Sequence, residues 1–199
     1  PRKKGALIIA ATGNNGQNRV SYPAANPGVI AVGAVDADGS HLDFSNTGQQ
    51  VAISAPGFGI NAAWTGSTAA SVNGTSFSSP IVTGAIAALM SQPGVKKLTA
   101  DQARAVLFSY LNDGGEAGSD TALGGGTPDL GRALNGKKPG IYDAAVASQR
   151  IVPPDRGNPY GQVEILIQNR GTETLINTRV QISTPGGLVK SNITQLAPN

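Results

Sequence analysis

An α/β fold built on a parallel sheet with flanking helices, running on into an antiparallel β segment, is predicted by three observations. Short apolar runs at residues 6–12 (ALIIAAT), 29–35 (VIAVGAV) and 51–55 (VAISA) each end in a breaker-rich turn, the pattern of strands buried on both faces of a parallel sheet. After Ser76 the apolar period lengthens to that of helices. Past residue 136 helical spacing gives way to alternation broken by Gly-Thr turns.

The first run closes at Gly13-Asn14-Asn15-Gly16, the second at Asp36-Ala37-Asp38-Gly39 and the third at Pro56-Gly57. In open α/β sheets, sites form at such carboxyl ends. Ile81, Val82, Ala85, Ile86, Ala88, Leu89 and Met90 predict a nearly all-apolar, buried helix begun by Ser78-Ser79-Pro80, with proline in its first turn. Residues 99–111 (TADQARAVLFSYL) predict an amphipathic helix. Thr99 is its N-cap, Gln102 holds the capping-box position, and Ala103, Val106, Leu107 and Tyr110 face inward. A loop over 114–126 and a short helix over 128–134 follow. The polar stretch Asn135-Gly136-Lys137-Lys138-Pro139-Gly140 then marks a domain boundary, giving domains 1–136 and 137–199. Strands are expected over 142–152, 161–169, 175–183 and 188–196. A full sandwich uses about 7 strands, so the second domain reads as partial.

Composition narrows the function. With 39% apolar and 14% charged residues among 199, and 27 glycines, the chain is globular and rich in turns. Its net charge of +3 is scattered over Arg2, Lys3, Lys4, Lys96, Lys97, Lys137 and Lys138, which argues against a nucleic-acid partner. The absence of cysteine excludes disulfides and thiolate metal sites. No apolar run approaches the roughly 18–20 residues of a membrane span, and Pro1-Arg2-Lys3-Lys4-Gly5 lacks a signal-peptide pattern.

The run Asn73-Gly74-Thr75-Ser76-Phe77-Ser78-Ser79-Pro80 sets Ser76 between a glycine-led turn and the apolar helix. A serine hydroxyl becomes a useful nucleophile only with a base in reach and donors for the oxyanion that develops. Gly-Thr-Ser alone also reads as a helix cap. The extended string resembles the nucleophile motif of subtilisin-like serine proteases, the subtilases, at Gly74, Thr75, Ser76, Ser78, Ser79 and Pro80. It departs at Ile81-Val82-Thr83-Gly84, where the family usually has His-Val-Ala-Gly. The run from Ile8 to Gly16 is similar to the family's oxyanion segment, normally Ala-Ala-Gly-Asn. Between these motifs, Tyr22-Pro23-Ala24, Val29–Val35, Phe44-Ser45-Asn46-Thr47-Gly48 and Ser54-Ala55-Pro56-Gly57 keep the family's order, and Thr127-Pro128-Asp129-Leu130 is similar to its closing helix.

The resemblance, over residues 5–135, implies a partial subtilisin-like domain of a serine endopeptidase acting on protein or peptide substrates. It implies Ser76 as nucleophile and Asn14 as oxyanion donor together with the Ser76 N–H. It also implies Ala11, Thr12 and Gly13 as the base of the substrate side-chain pocket, with Thr12, in place of a common alanine, making that pocket narrower or more polar. In this family the triad runs Asp, His, Ser, with the first two ahead of the asparagine. Only 13 residues precede Asn14, so the aspartate, the histidine and the substrate-pairing strand are expected outside this polypeptide, and the 199-residue chain is expected to be inactive alone. The single histidine, His41, reads as a solvated loop residue, and Asp36, Asp38 and Asp43 beside it as turn and cap residues. No metal and no cofactor is assigned. Calcium in the parent protein stays open, because the loop near Ala24 to Asn26 matches by position a region that holds a weak cation in some relatives. Family habit implies secretion or the cell envelope. A truncated sheet is expected to self-associate through its first strand. The alternative is a non-catalytic pseudoprotease, or a binding or assembly module.

The tail has its own resemblance. Tyr142-Asp143-Ala144-Ala145-Val146-Ala147, Pro153-Pro154, the strand over 163–169 and Arg170-Gly171-Thr172 resemble the opening of a CARDB-type β-sandwich. A plain fibronectin-like or other β-sandwich is the alternative.

Overall fold

Three apolar segments form a parallel sheet in the order β1 (Ile8–Ala11), β2 (Val29–Val35), β3 (Val51–Pro56). The register runs from Ile8 opposite Val29 to Ala11 opposite Val32, and from Val32 opposite Ile53 to Val35 opposite Pro56. The computed structural model describes residues 2–93, 97–154, 156, 159–184 and 187–198. Lys96, counted among the scattered charges, lies outside them. The chain divides into two units, Pro1–Ala133 and Leu134–Asn199.

Burial follows strand position. The central strand β2 is buried from Ile30 to Val35, as its continuous apolar run predicts. β1 is only half-buried, because among the described residues it pairs with β2 alone. The outer edge of β3 is closed by a loop: the Gly125 N–H donates to Ala52 O (3.1 Å) and the Ser54 N–H to Gly126 O (3.0 Å). Gly124 makes this approach feasible, since its φ is 65° and a Cβ would sit 2.5 Å from the Ala52 carbonyl carbon.

One face of the sheet (Ile30, Val32, Ile53, Ala55) packs on α1 (Thr75–Met90) through Val82, Ala85, Ile86 and Leu89, and on α2 (Ala100–Phe108) through Ala103 and Leu107. On the other face Ala31 and Val51 meet Val20 and Ala24. Each fully buried Val, Ile or Leu contributes about 1.5–3 kcal/mol, so this two-sided core fixes where the strands' carboxyl ends lie.

Several boundaries differ from expectation. α1 begins at Thr75 rather than at Ser78, which places Pro80 inside the helix. Its first turn needs no Ser or Thr cap, because the Thr75 N–H is taken by Asn14 Oδ1 (2.9 Å) and the Phe77 N–H by Gly74 O (3.0 Å). Pro80 is the sixth residue of α1, and the one bond it forfeits is to Ser76 O, the second residue of the helix. Nor is α1 buried all round: Thr83, Gly84 and Ala87 face solvent. α2 carries the expected capping box of Thr99 and Gln102 and ends at Phe108. Beyond it Leu111 enters the short pair β6 (Leu111–Asn112) and β7 (Thr127–Pro128). A hairpin of β4 (Ile60–Trp64) and β5 (Thr68–Val72) occupies a stretch with no sequence expectation. α3 (Leu130–Asn135) starts two residues later than expected, with Asp129 Oδ1 accepting the Arg132 N–H (2.9 Å).

The second unit holds two antiparallel hairpins, β8 (Ala144–Val152) with β9 (Gln162–Asn169) and β10 (Leu175–Thr184) with β11 (Gly187–Leu196). Fully buried Asn169 joins them. Its Nδ2 donates to Glu173 O (2.8 Å) and Leu196 O (2.9 Å), and its Oδ1 accepts the Gly171 N–H (2.9 Å). Among the described residues no helix is long and apolar enough to cross a membrane.

Candidate active site

At the carboxyl end of β1 the chain leaves the sheet through Thr12, Gly13 and Asn14, and at the carboxyl end of β3 it turns through Pro56-Gly57. The start of α1 is held against both. The Gly74 N–H donates to Gly57 O (2.8 Å), and Ser78 Oγ to Pro56 O (3.1 Å). Gly74 has φ 143°, a conformation that opens the turn before Thr75 and that side chains rarely adopt.

Three hydrogen bonds then join the two sequence motifs. Asn14 Oδ1 accepts from the Thr75 N–H (2.9 Å) and from Thr75 Oγ1 (2.8 Å), and Thr75 Oγ1 accepts the Gly13 N–H (3.3 Å). With its carbonyl oxygen occupied twice, the Asn14 side-chain amide is oriented, and its Nδ2 faces Gly74, where a Cβ would lie 3.2 Å away. Thr75 is fully buried, while Asn14 and Ser76 are exposed. The buried residue thus positions the exposed pair.

Ser76 is the second residue of α1. Among the described residues no hydrogen bond involves its hydroxyl, and its first-turn N–H has no backbone acceptor. That end of a helix carries unpaired donors and a positive potential. An exposed hydroxyl, a free N–H and an oriented amide therefore share one small surface, an arrangement suited to receiving a carbonyl and the negative charge that forms on its oxygen.

The other expected positions separate by burial. Ala11 and Gly13 are half-buried, whereas the Thr12 side chain is fully buried and its hydroxyl has no partner among the described residues. Gly13 has φ 110°, and a Cβ there would collide with Asn46 Nδ2 and lie 2.6 Å from Ser21 Oγ. His41 is not the freely solvated loop residue the sequence suggests. The Asp36 N–H bonds Ser40 O (3.0 Å), closing a tight turn that lays His41 beside Val35 in an antiparallel bridge. His41 is half-buried there, with Nε2 buried and unpartnered among the described residues. Asp36 and Asp38 are turn residues, Asp36 Oδ1 accepting from the Asp38 and Ser40 N–H groups (3.1 Å each). The side-chain hydrogen bond with Asp36, followed by bonds from Ser40, lowers the Asp38 pKa to about 2.

The sequence profile of the subtilase family matches residues 1–126. This chain belongs to the subtilase family. A thermostable alkaline protease of Halalkalibacterium halodurans is 38% identical over 130 residues, which are 65% of this chain and 34% of that protein. Subtilisin DY of Bacillus licheniformis is 38% identical over 117 residues, 57% of this chain and 42% of the relative. Among solved structures, the prenylagaramide maturation protease PagA superposes with a TM-score of 0.60 at 32% identity, covering 67% of this chain and 51% of that one. The self-cleaved protease domain of PatA gives 0.58 at 34%, over 67% and 51%. This subtilase chain spans roughly a third to a half of the length of these relatives.

Two residues that hold the site were not singled out in the sequence. In the sequence Thr75 stands only as part of the motif, and Asn46 only as part of a linking segment. The signal for Thr75 is its adjacency to Ser76; nothing local marks Asn46, whose partners lie 25 to 34 positions away. A cavity of about 210 Å³, lined by Leu7, Val29, Ala52, Arg104 and Phe108 among others, lies at the strands' amino ends, away from Ser76.

Proposed function

We propose that this chain supplies the nucleophile and oxyanion half of a subtilisin-like serine endopeptidase. Ser76 Oγ attacks the peptide carbonyl, Asn14 Nδ2 and the Ser76 N–H stabilise the oxyanion, and water hydrolyses the acyl-enzyme. The carrying observation is the pair of hydrogen bonds that the Thr75 N–H and hydroxyl donate to Asn14 Oδ1, which orients the amide donor beside the serine. Ala11, Thr12 and Gly13 form the base of the substrate pocket. The serine's proton needs a base, and within these 199 residues the only histidine is His41, whose backbone is tied to Val35. The base and its orienting acid are therefore supplied by the parent protein, a secreted or cell-envelope enzyme, and residues 137–199 open a β-sandwich accessory module. The test is peptide hydrolysis by the parent, by its Ser76→Ala variant and by the 199-residue chain alone. Activity is expected in the parent only, and turnover by the Ser76→Ala variant would overturn the proposal.

Among the described residues β1 pairs with β2 alone, and we propose that the isolated chain associates with itself along the other edge of that strand. Light scattering should show species larger than a monomer at high concentration; a monomer throughout would contradict this.

A further inference from the structure

The loop that carries Asn14 has left the sheet ladder, so something other than strand pairing must hold it. One side chain does most of this. Asn46 is fully buried and uses its whole amide: Nδ2 donates to Thr12 O (3.2 Å) and Ser21 Oγ (3.2 Å), and Oδ1 accepts from the Asn15 and Gln17 N–H groups (3.0 Å each). Its backbone N–H also donates to Gly13 O (3.0 Å). These partners fall on both sides of Asn14 and leave the Asn14 side chain to Thr75. The segment around Asn46 is itself anchored. Ser45 Oγ accepts the Ala34 N–H of β2 (3.0 Å), the Gly16 N–H donates to Phe44 O (2.8 Å), and the Thr47 N–H to Gln17 O (2.9 Å).

We infer that Asn46 is a positioning residue for the oxyanion donor, transmitting the rigidity of the central strand to the Asn14 loop without touching any reacting atom. The inference rests on the oxyanion role proposed for Asn14. A backbone clamped at residues 12, 13, 15 and 17 has little freedom at 14, and a donor displaced by about 1 Å loses much of its value in the transition state. Gly13 fits the same account, since only a residue without Cβ leaves room for the Asn46 amide.

The test compares Asn46→Asp, which keeps an acceptor for Asn15 and Gln17 but loses both donations, with Asn14→Ala and with the double variant, in the parent protein. Asn46→Asp should lower kcat by about tenfold or more with KM within about twofold. The double variant should be no slower than Asn14→Ala alone. If Asn14→Ala leaves kcat unchanged, the oxyanion reading falls and this inference with it. If Asn14→Ala lowers kcat but the two losses multiply, or if Asn46→Asp leaves kcat intact, the inference alone falls. Should the Asn46 variant not fold, hydrogen exchange on the unmodified protein decides. The Asn15 and Gln17 amides should exchange at least about tenfold more slowly than that of Asn18, and equal rates would overturn the clamp.

Discussion

Thr75 is the residue on which the site turns. Its hydroxyl accepts from Gly13 and donates to Asn14, while its N–H reaches the same Asn14 oxygen. Replacing it with valine preserves shape and N–H but deletes the hydroxyl. The Gly13 N–H then loses its partner, and the Asn14 amide is held by one bond instead of two. A buried hydrogen bond contributes about 0.5–1.5 kcal/mol net, so Thr75→Val in the parent should lower kcat by up to about tenfold with little change in KM. Steady-state kinetics on a chromogenic peptide checks this, and an unaltered kcat would show that Asn14 needs no such orientation. At this scale the sequence was partly legible. Ser76 and Asn14 stand in recognisable strings, and the fold places them around Thr75. The clamp from Asn46 was not legible, because a side-chain amide bonding to main-chain groups 29 to 34 positions away leaves no local pattern.

Elements buried on both sides were the easiest to read. β2 occupies the residues its apolar run predicts, and the capping box of α2 forms between Thr99 and Gln102 as their spacing requires. Boundaries set by distant groups were not readable. α1 starts at Thr75 because a side chain 61 positions away caps its first turn, a partner invisible to any window centred on the helix. The hairpin of β4 and β5 escaped notice for a different reason. The β-branched and aromatic side chains that mark strands stand only at its strand ends, Ile60, Trp64, Thr68 and Val72, with alanines, Asn61 and Ser71 between them, and its turn relies on left-handed Gly66 and Ser67. α1 also shows why composition misleads about burial. A nearly all-apolar helix can still expose its small residues, here Gly84 and Ala87, while Val82, Ile86 and Leu89 fill the core.

For the whole molecule, family membership and geometry point the same way. The subtilase profile spans residues 1–126, and within that span the sheet's carboxyl ends bring Asn14 and Ser76 to one surface through Thr75. The one histidine is occupied elsewhere, its backbone paired with Val35. Under the proposed function, exposed Ser76 is the nucleophile of a catalytic centre whose base comes from the parent protein. Fluorophosphonate labelling, with the adduct mapped by mass spectrometry, tests that description most directly. In the parent protein the label should fall on Ser76 rapidly and stoichiometrically, and in the 199-residue chain Ser76 should stay essentially unlabelled over the same time. Labelling of the parent at a different residue, or fast stoichiometric labelling of Ser76 in the isolated chain, would contradict it.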